Sequence, residues 1–176
     1  MRKMRKKKWA TLVAAAALLL TGLTACKAKT PQDLASEALS LDLSAGSEIS
    51  SYDTHSGNGD GTSCIVLSFQ DDAILEQIQA SDAWHPLPVD QTTQVLVYGF
   101  SEETGDASWQ IGPFLTDDSG NPLVPEVQNG YYVLLDRQAE DGKAPGSDIL
   151  DRGSFNFTFG LYDTDTDTLY CCELDT

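Results

Sequence analysis

Apolar and polar positions alternate most regularly near the C-terminus. Phe155, Phe157, Phe159 and Leu161 interleave with Asn156, Thr158, Gly160 and Tyr162, the period of two that marks a strand. Asp163–Asp167 forms a turn that leads into a second strand, Thr168–Leu174. If paired positions sum to 330, Phe159 opposes Cys171 and Leu161 opposes Leu169 on the core face. Tyr170 then lies across from Gly160, where an aromatic ring covers a bare glycine.

The same reading carries back along the chain. Thr30-Pro31-Gln32-Asp33 supplies a hydroxyl N-cap, a proline at the first helical position and an acid in the first turn. Leu34, Ala38 and Leu41 follow on one face, so a short helix is expected to end near Leu41–Gly46. Ser47–His55 and Thr62–Phe69 read as strands joined by the loop Ser56–Gly61, which contains three glycines. In the second of these, Ile65, Leu67 and Phe69 share a face opposite Cys64, Val66 and Ser68. Gln70–Gln79 is a second helix, with Asp71 and Asp72 at its positive end and Ile74, Leu75 and Ile78 inward. Trp84–Pro88 is extended because its prolines push the preceding residues out of the helical region.

Gln94–Phe100, rich in β-branched and aromatic residues, reads as a strand. Ser101–Ala107 follows as a polar turn and Trp109–Leu115 as another strand, with a turn at Asp117–Pro122. Tyr131–Asp136 is a strand after Asn129-Gly130, and Gln138–Gly153 is a charged loop with one helical turn at Ser147–Leu150. The fold class is therefore α+β: a largely antiparallel sheet with two short helices packed on it. One domain, residues 31–176, accounts for all of these elements. Hydrophobic residues at 41% and aromatics at 9% suffice for its core and exclude a disordered chain.

Charge changes the picture. Of 11 Lys and Arg, six lie in the first eight residues, while all 27 Asp and Glu lie after position 30. From Cys26 onward five cations face 27 acids, a balance of −22. Such a body repels phosphate backbones, which argues against nucleic acid and for cationic partners: a basic protein patch, a peptide or a divalent ion.

The leader is organised differently. Behind its basic head an apolar run, Trp9–Leu23, extends for about 15 residues, short of the roughly 20 that span a bilayer. Leu23-Thr24-Ala25-Cys26 then follows. This order resembles the lipobox of bacterial lipoproteins. The resemblance implies a signal peptide over residues 1–25, a diacylglyceryl group on Cys26 and cleavage between Ala25 and Cys26. It further implies lipid anchoring at the cell membrane, facing away from the cytoplasm, with residues 26–30 as a short tether. Lys27–Thr30 reaches about 14 Å at most, and Lys27 and Lys29 add roughly 1 kcal/mol each against anionic headgroups. Tyr52–Phe69, Val127–Arg137 and Phe155–Tyr170 also look like a group of small lipoproteins of Gram-positive bacteria, which implies a location and no activity.

Within the domain, the candidate chemistry is sparse. Asp53 and His55 point the same way on a strand, and the glycine-rich loop could fold Asp60 towards them. Two carboxylates and an imidazole can bind Zn²⁺ or a similar cation. Asp163, Asp165 and Asp167 begin like a calcium loop, but Thr168 and Leu174 stand where Gly and Glu are required. Arg137 and Arg152 suit internal ion networks with Asp136, Glu140, Asp148 or Asp151. Cys64 could bridge to Cys171 or Cys172 but not both, because neighbours on a strand face opposite ways. The aromatics at 84, 98, 109, 131, 132, 162 and 170 suit either a binding surface or the two sheet faces.

These features favour a membrane-anchored, non-catalytic binding or interaction domain that needs no cofactor. The alternatives are a small exported metal-dependent enzyme using Asp53, His55 and Asp60, and an accessory subunit of an envelope complex.

Overall fold

A computed structural model describes residues 28–105, 107–139 and 149–176. Cys26 and its leader, Lys27, Glu140, Ser147 and Asp148 lie outside the described residues.

Helix α1 (Pro31–Leu39) starts as its sequence dictates. The Thr30 hydroxyl accepts from the Asp33 N–H, and the Asp33 carboxylate accepts from the Thr30 N–H. This reciprocal pair satisfies two donors that the first turn leaves open. Strands β1 (Ser47–Asp53) and β2 (Gly61–Ser68) precede helix α2 (Ala73–Ala80) and the short strand β3 (His85–Pro86). Helix α3 (Gln91–Tyr98) and the ribbon β4 (Phe100–Thr104) and β5 (Ala107–Ile111) come next. The chain closes with β6 (Gly130–Asp136), a 3-10 turn at Ile149–Asp151, β7 (Asn156–Asp163) and β8 (Thr168–Asp175).

Six strands form one sheet in the order β1-β2-β8-β7-β6-β3, every neighbouring pair antiparallel. The α+β class holds, with a third helix added. α1 and α2 cover one face through Ala35, Leu39, Ile74 and Ile78, which pack with Ile65, Leu67, Phe69, Tyr162 and Leu169. α3 covers the other through Leu96 and Val97, against Val66, Phe157, Phe159 and Leu161.

α3 corrects the strand expected at Gln94–Phe100. Its β-branched run is consistent with either structure, and the ends decide. Asp90 accepts from the Thr93 N–H at 2.9 Å, and Gly99, at φ 79°, closes the helix on Val95. Ser101–Ala107 is likewise a hairpin and not a long turn: Phe100 to Thr104 pair with Ile111 to Ala107. A two-stranded ribbon wet on both faces carries polar residues through the rest of its first strand after Phe100, so alternation does not reveal it.

The register of β7 on β8 also differs from expectation. Asp163 pairs with Thr168, so Phe159 opposes Cys172, Leu161 opposes Tyr170 and Gly160 opposes Cys171. Four residues separate the closing pair, with Asp167 at φ 50°. That one-residue shift turns β8 over relative to the expected pairing. Cys172 therefore shares a face with Cys64, lies directly opposite it on β2, and forms a disulfide with it. Cys171 turns to the α1 face as a buried free thiol. Gly160 is covered by Trp84 and not by Tyr170.

A Cβ at Gly160 would lie 2.8 Å from Trp84 and 2.9 Å from both Leu39 and Val133. Gly160→Ala is therefore expected to cost about 1–3 kcal/mol by overpacking. Urea unfolding measures this, and an unchanged midpoint would contradict the packing described.

Candidate functional site

At the end of the sheet formed by the β1–β2 turn and the C-terminus, charged side chains form one chain of contacts. Asp53 ends β1, and its Oδ1 accepts from the His55 backbone N–H at 2.9 Å. That bond folds the chain so that His55 Nδ1 also lies 2.7 Å from the same oxygen. The second ring nitrogen, Nε2, lies 3.1 Å from Asp175 Oδ2. The register that pairs Gly61 with Asp175 brings that carboxylate across. On its other side Asp175 accepts from Arg137, whose guanidinium also donates to Glu173 at 2.8 Å. Glu173 in turn accepts from the Thr158 hydroxyl at 3.0 Å.

An imidazole flanked by two carboxylates can donate to both only as the cation. Burial alone would lower the His55 pKa, but the hydrogen bonds and charges of Asp53 and Asp175 outweigh it and raise the value above 6.5. Asp53 moves the opposite way: the His55 backbone N–H leads in stabilising its carboxylate, and the imidazole adds to the effect. With His55 charged, two cations face three acids in this network, which stays anionic by one charge.

Of the trio read from the sequence, Asp53 and His55 meet. The Asp60 carboxylate accepts from Asn58 Nδ2 at 2.8 Å within its own loop. Among the described residues no group of three His, Cys, Asp or Glu side chains is placed to hold a metal ion. Asp175, 120 positions from His55, takes the place in the constellation that the sequence offered to Asp60. Only the β2–β8 register could have revealed it.

The other candidates serve the fold. Asp163 accepts from the Asp165 N–H and the Thr166 hydroxyl, and Asp165 accepts from Asn129. Asp167 accepts from the Tyr162 hydroxyl at 3.0 Å. Asp117 caps its own turn through Ser119 and Asn121. Arg152 forms a two-pronged pair with the fully buried Asp136 side chain. Trp84, Tyr132 and Tyr162 are buried, whereas Trp109 stands exposed beside Phe100 on the β4–β5 ribbon. Burial, helped by the Glu173 charge, pushes the Cys171 thiol up to about 12, so it is a poor nucleophile.

No family model, curated protein or solved structure matches the chain.

Because the folded state raises the His55 pKa, its contribution to stability is complete below about pH 6.5 and is lost as pH rises through the higher folded value. His55→Gln is expected to remove that slope and to cost about 1 kcal/mol at pH 6, a figure discounted for the exposed Asp53 side. Titration of the His55 ring by NMR, alongside unfolding at several pH values, tests both. A midpoint at or below 6.5 contradicts the clamp.

Proposed function

We propose that the chain is a membrane-tethered, non-catalytic binding domain that works outside the cytoplasm. The order of basic head, short apolar run and Leu23-Thr24-Ala25-Cys26 carries the tether. The state of His55 supports the binding reading. A general base needs a free imidazole nitrogen, and a metal ligand needs a lone pair. Both ring nitrogens of His55 are held by carboxylates, in a network that favours the protonated ring. The Cys171 thiol is buried away from any attacking role. Cationic partners fit the excess of acids over bases, since their attraction survives the internal pairing of Arg137 and Arg152.

A metal-dependent enzyme centred on Asp53, His55 and Asp60 would first have to take His55 from one of its carboxylates. Docking to a larger envelope assembly is compatible with the same tether and differs only in the partner.

Fractionation of cells making the intact chain is expected to place it with membranes, and Cys26→Ala in the soluble pool. Mass spectrometry of the purified protein should find acyl chains on Cys26. An unacylated N-terminus, or a wild-type protein that stays soluble, overturns the proposal.

A further inference from the structure

α1 and α2 do not cover the whole of their sheet face. At the uncovered end lies a cleft of about 320 Å³. Leu34 and Ala38 of α1 form its wall, and Ile65 of β2 forms the apolar part of its floor. Leu34 remains 46% exposed although the cleft gives it apolar neighbours.

Beyond Ile65 the floor turns polar in one step of register. Asp53 pairs with Ser63, and Ser63 pairs with Glu173. Residues directly opposite in antiparallel strands point to the same face, so these three side chains form a row across β1, β2 and β8. Each has an acceptor to spare. His55 engages Asp53 through Oδ1, and Arg137 and Thr158 engage Glu173 through Oε1. Among the described residues, Asp53 Oδ2, Glu173 Oε2 and Ser63 Oγ have no protein donor.

Three separate acceptors, each offering one oxygen, match an ammonium group, which carries three diverging donors. They match a guanidinium poorly, because its planar fork seeks both oxygens of one carboxylate. The apolar wall suits a methylene stem leading to the ammonium. Among the described residues His55 is the one basic side chain that lines the cleft, and it is already held between Asp53 and Asp175.

β1 specifies the source of that ammonium. Among the described residues it is one of the two edges of the sheet, and Ser51 and Asp53 on it line the cleft. Past the irregularity between Glu48 and Ser50, the pairing of Ser50–Asp53 with β2 is regular, which leaves the outer backbone groups of that stretch for a further strand. We propose that the cleft receives a lysine side chain presented by an extended peptide that pairs along β1. This rests on the binding-domain reading above and names its ligand.

The test uses the full chain in detergent micelles and calorimetric titration with Ac-Thr-Val-Lys-Val-Thr-amide. Parallel titrations use the Nε-acetyllysine peptide, the arginine peptide and n-butylammonium. The lysine peptide is expected to bind about tenfold more tightly than its acetylated form, and Asp53→Asn to weaken it by a similar factor. Ser63→Ala, which leaves both ion pairs intact, should weaken it about threefold. Glu102→Gln, which removes one charge from the exposed ribbon, should change it less than twofold.

Equal binding of the acetylated peptide overturns the proposal, as does equal loss in Asp53→Asn and Glu102→Gln. Butylammonium binding as tightly as the peptide overturns the strand pairing, and arginine binding as well as lysine overturns the three-acceptor match. No heat of binding to the lysine peptide overturns the whole. Should Asp53→Asn lose its native circular dichroism, Ser63→Ala decides alone. Acylated protein that ignores the peptide leaves the tethered binder standing, while unacylated protein that binds it sinks only the tether.

Discussion

The pairing of β8 between β2 and β7 governs the rest of the molecule. β7 and β8 are buried on both faces for most of their length and β2 through Cys64–Leu67, so each buried residue of β8 must suit one helical layer or the other. A shift of one position exchanges the two sets. In the observed register Leu169 and Cys171 meet α1 and α2, while Cys172 and Leu174 meet the layer that contains α3. The covalent link between Cys64 and Cys172 then holds the pairing across 108 positions of sequence. Closing a loop of that length takes several kcal/mol of freedom from the unfolded chain, on the order of 4–5 by chain-entropy reasoning. The same register brings Asp175 to His55 and Glu173 beside Ser63, so the ion network and the cleft both derive from it.

The local features were legible because their causes are local. Thr30 and Asp33 announce α1 by a hydrogen-bond exchange complete within four residues. Asp53 and His55 also meet within three residues, through the His55 N–H bond to the Asp53 carboxylate, although β1 ends at Asp53 and alternation does not reach His55. α3 was hidden because Val95, Leu96 and Val97 are apolar at consecutive positions, which states burial and not period. Its Asp90 cap was the better signal. The β7–β8 register was hidden for a related reason: when both faces are buried, apolar alternation no longer tells them apart. Loop length decided instead, through Asp167 in the left-handed region. Asp175 could not be found as a partner of His55 without the β2–β8 pairing.

The surplus of acids has two different roles. Asp33, Asp90, Asp117 and Asp163 accept backbone or hydroxyl donors at helix starts and turns, where a short carboxylate replaces a missing backbone acceptor. Those charges belong to the architecture. Asp53 and Glu173 differ, because each gives one oxygen to a cation and keeps the other open. The distinction matters for recognition. An acid that caps a turn presents its charge only as part of a diffuse field, which salt screens over about 8–10 Å. An acid with an open oxygen beside an apolar wall adds direction, which a screened field lacks.

The tether read from the sequence and the cleft are linked through Lys29. That residue pairs with Glu37 on α1, the helix whose Leu34 and Ala38 wall the cleft. A lysine held there gives less to anionic headgroups than the roughly 1 kcal/mol a free one supplies. Under the tethered reading, the acyl chains therefore carry most of the attachment, while the acidic domain is repelled by the surface it hangs from. Repulsion and a short tether together favour orientations that turn the densest carboxylates outward. Glu37 is paired with Lys29, so under that reading the open acceptors of Asp53 and Glu173 would be the part of the cleft most strongly turned away from the lipid. A tethered domain built this way would present its binding row to whatever approaches from outside, and would keep it clear of the headgroups' own ammonium groups.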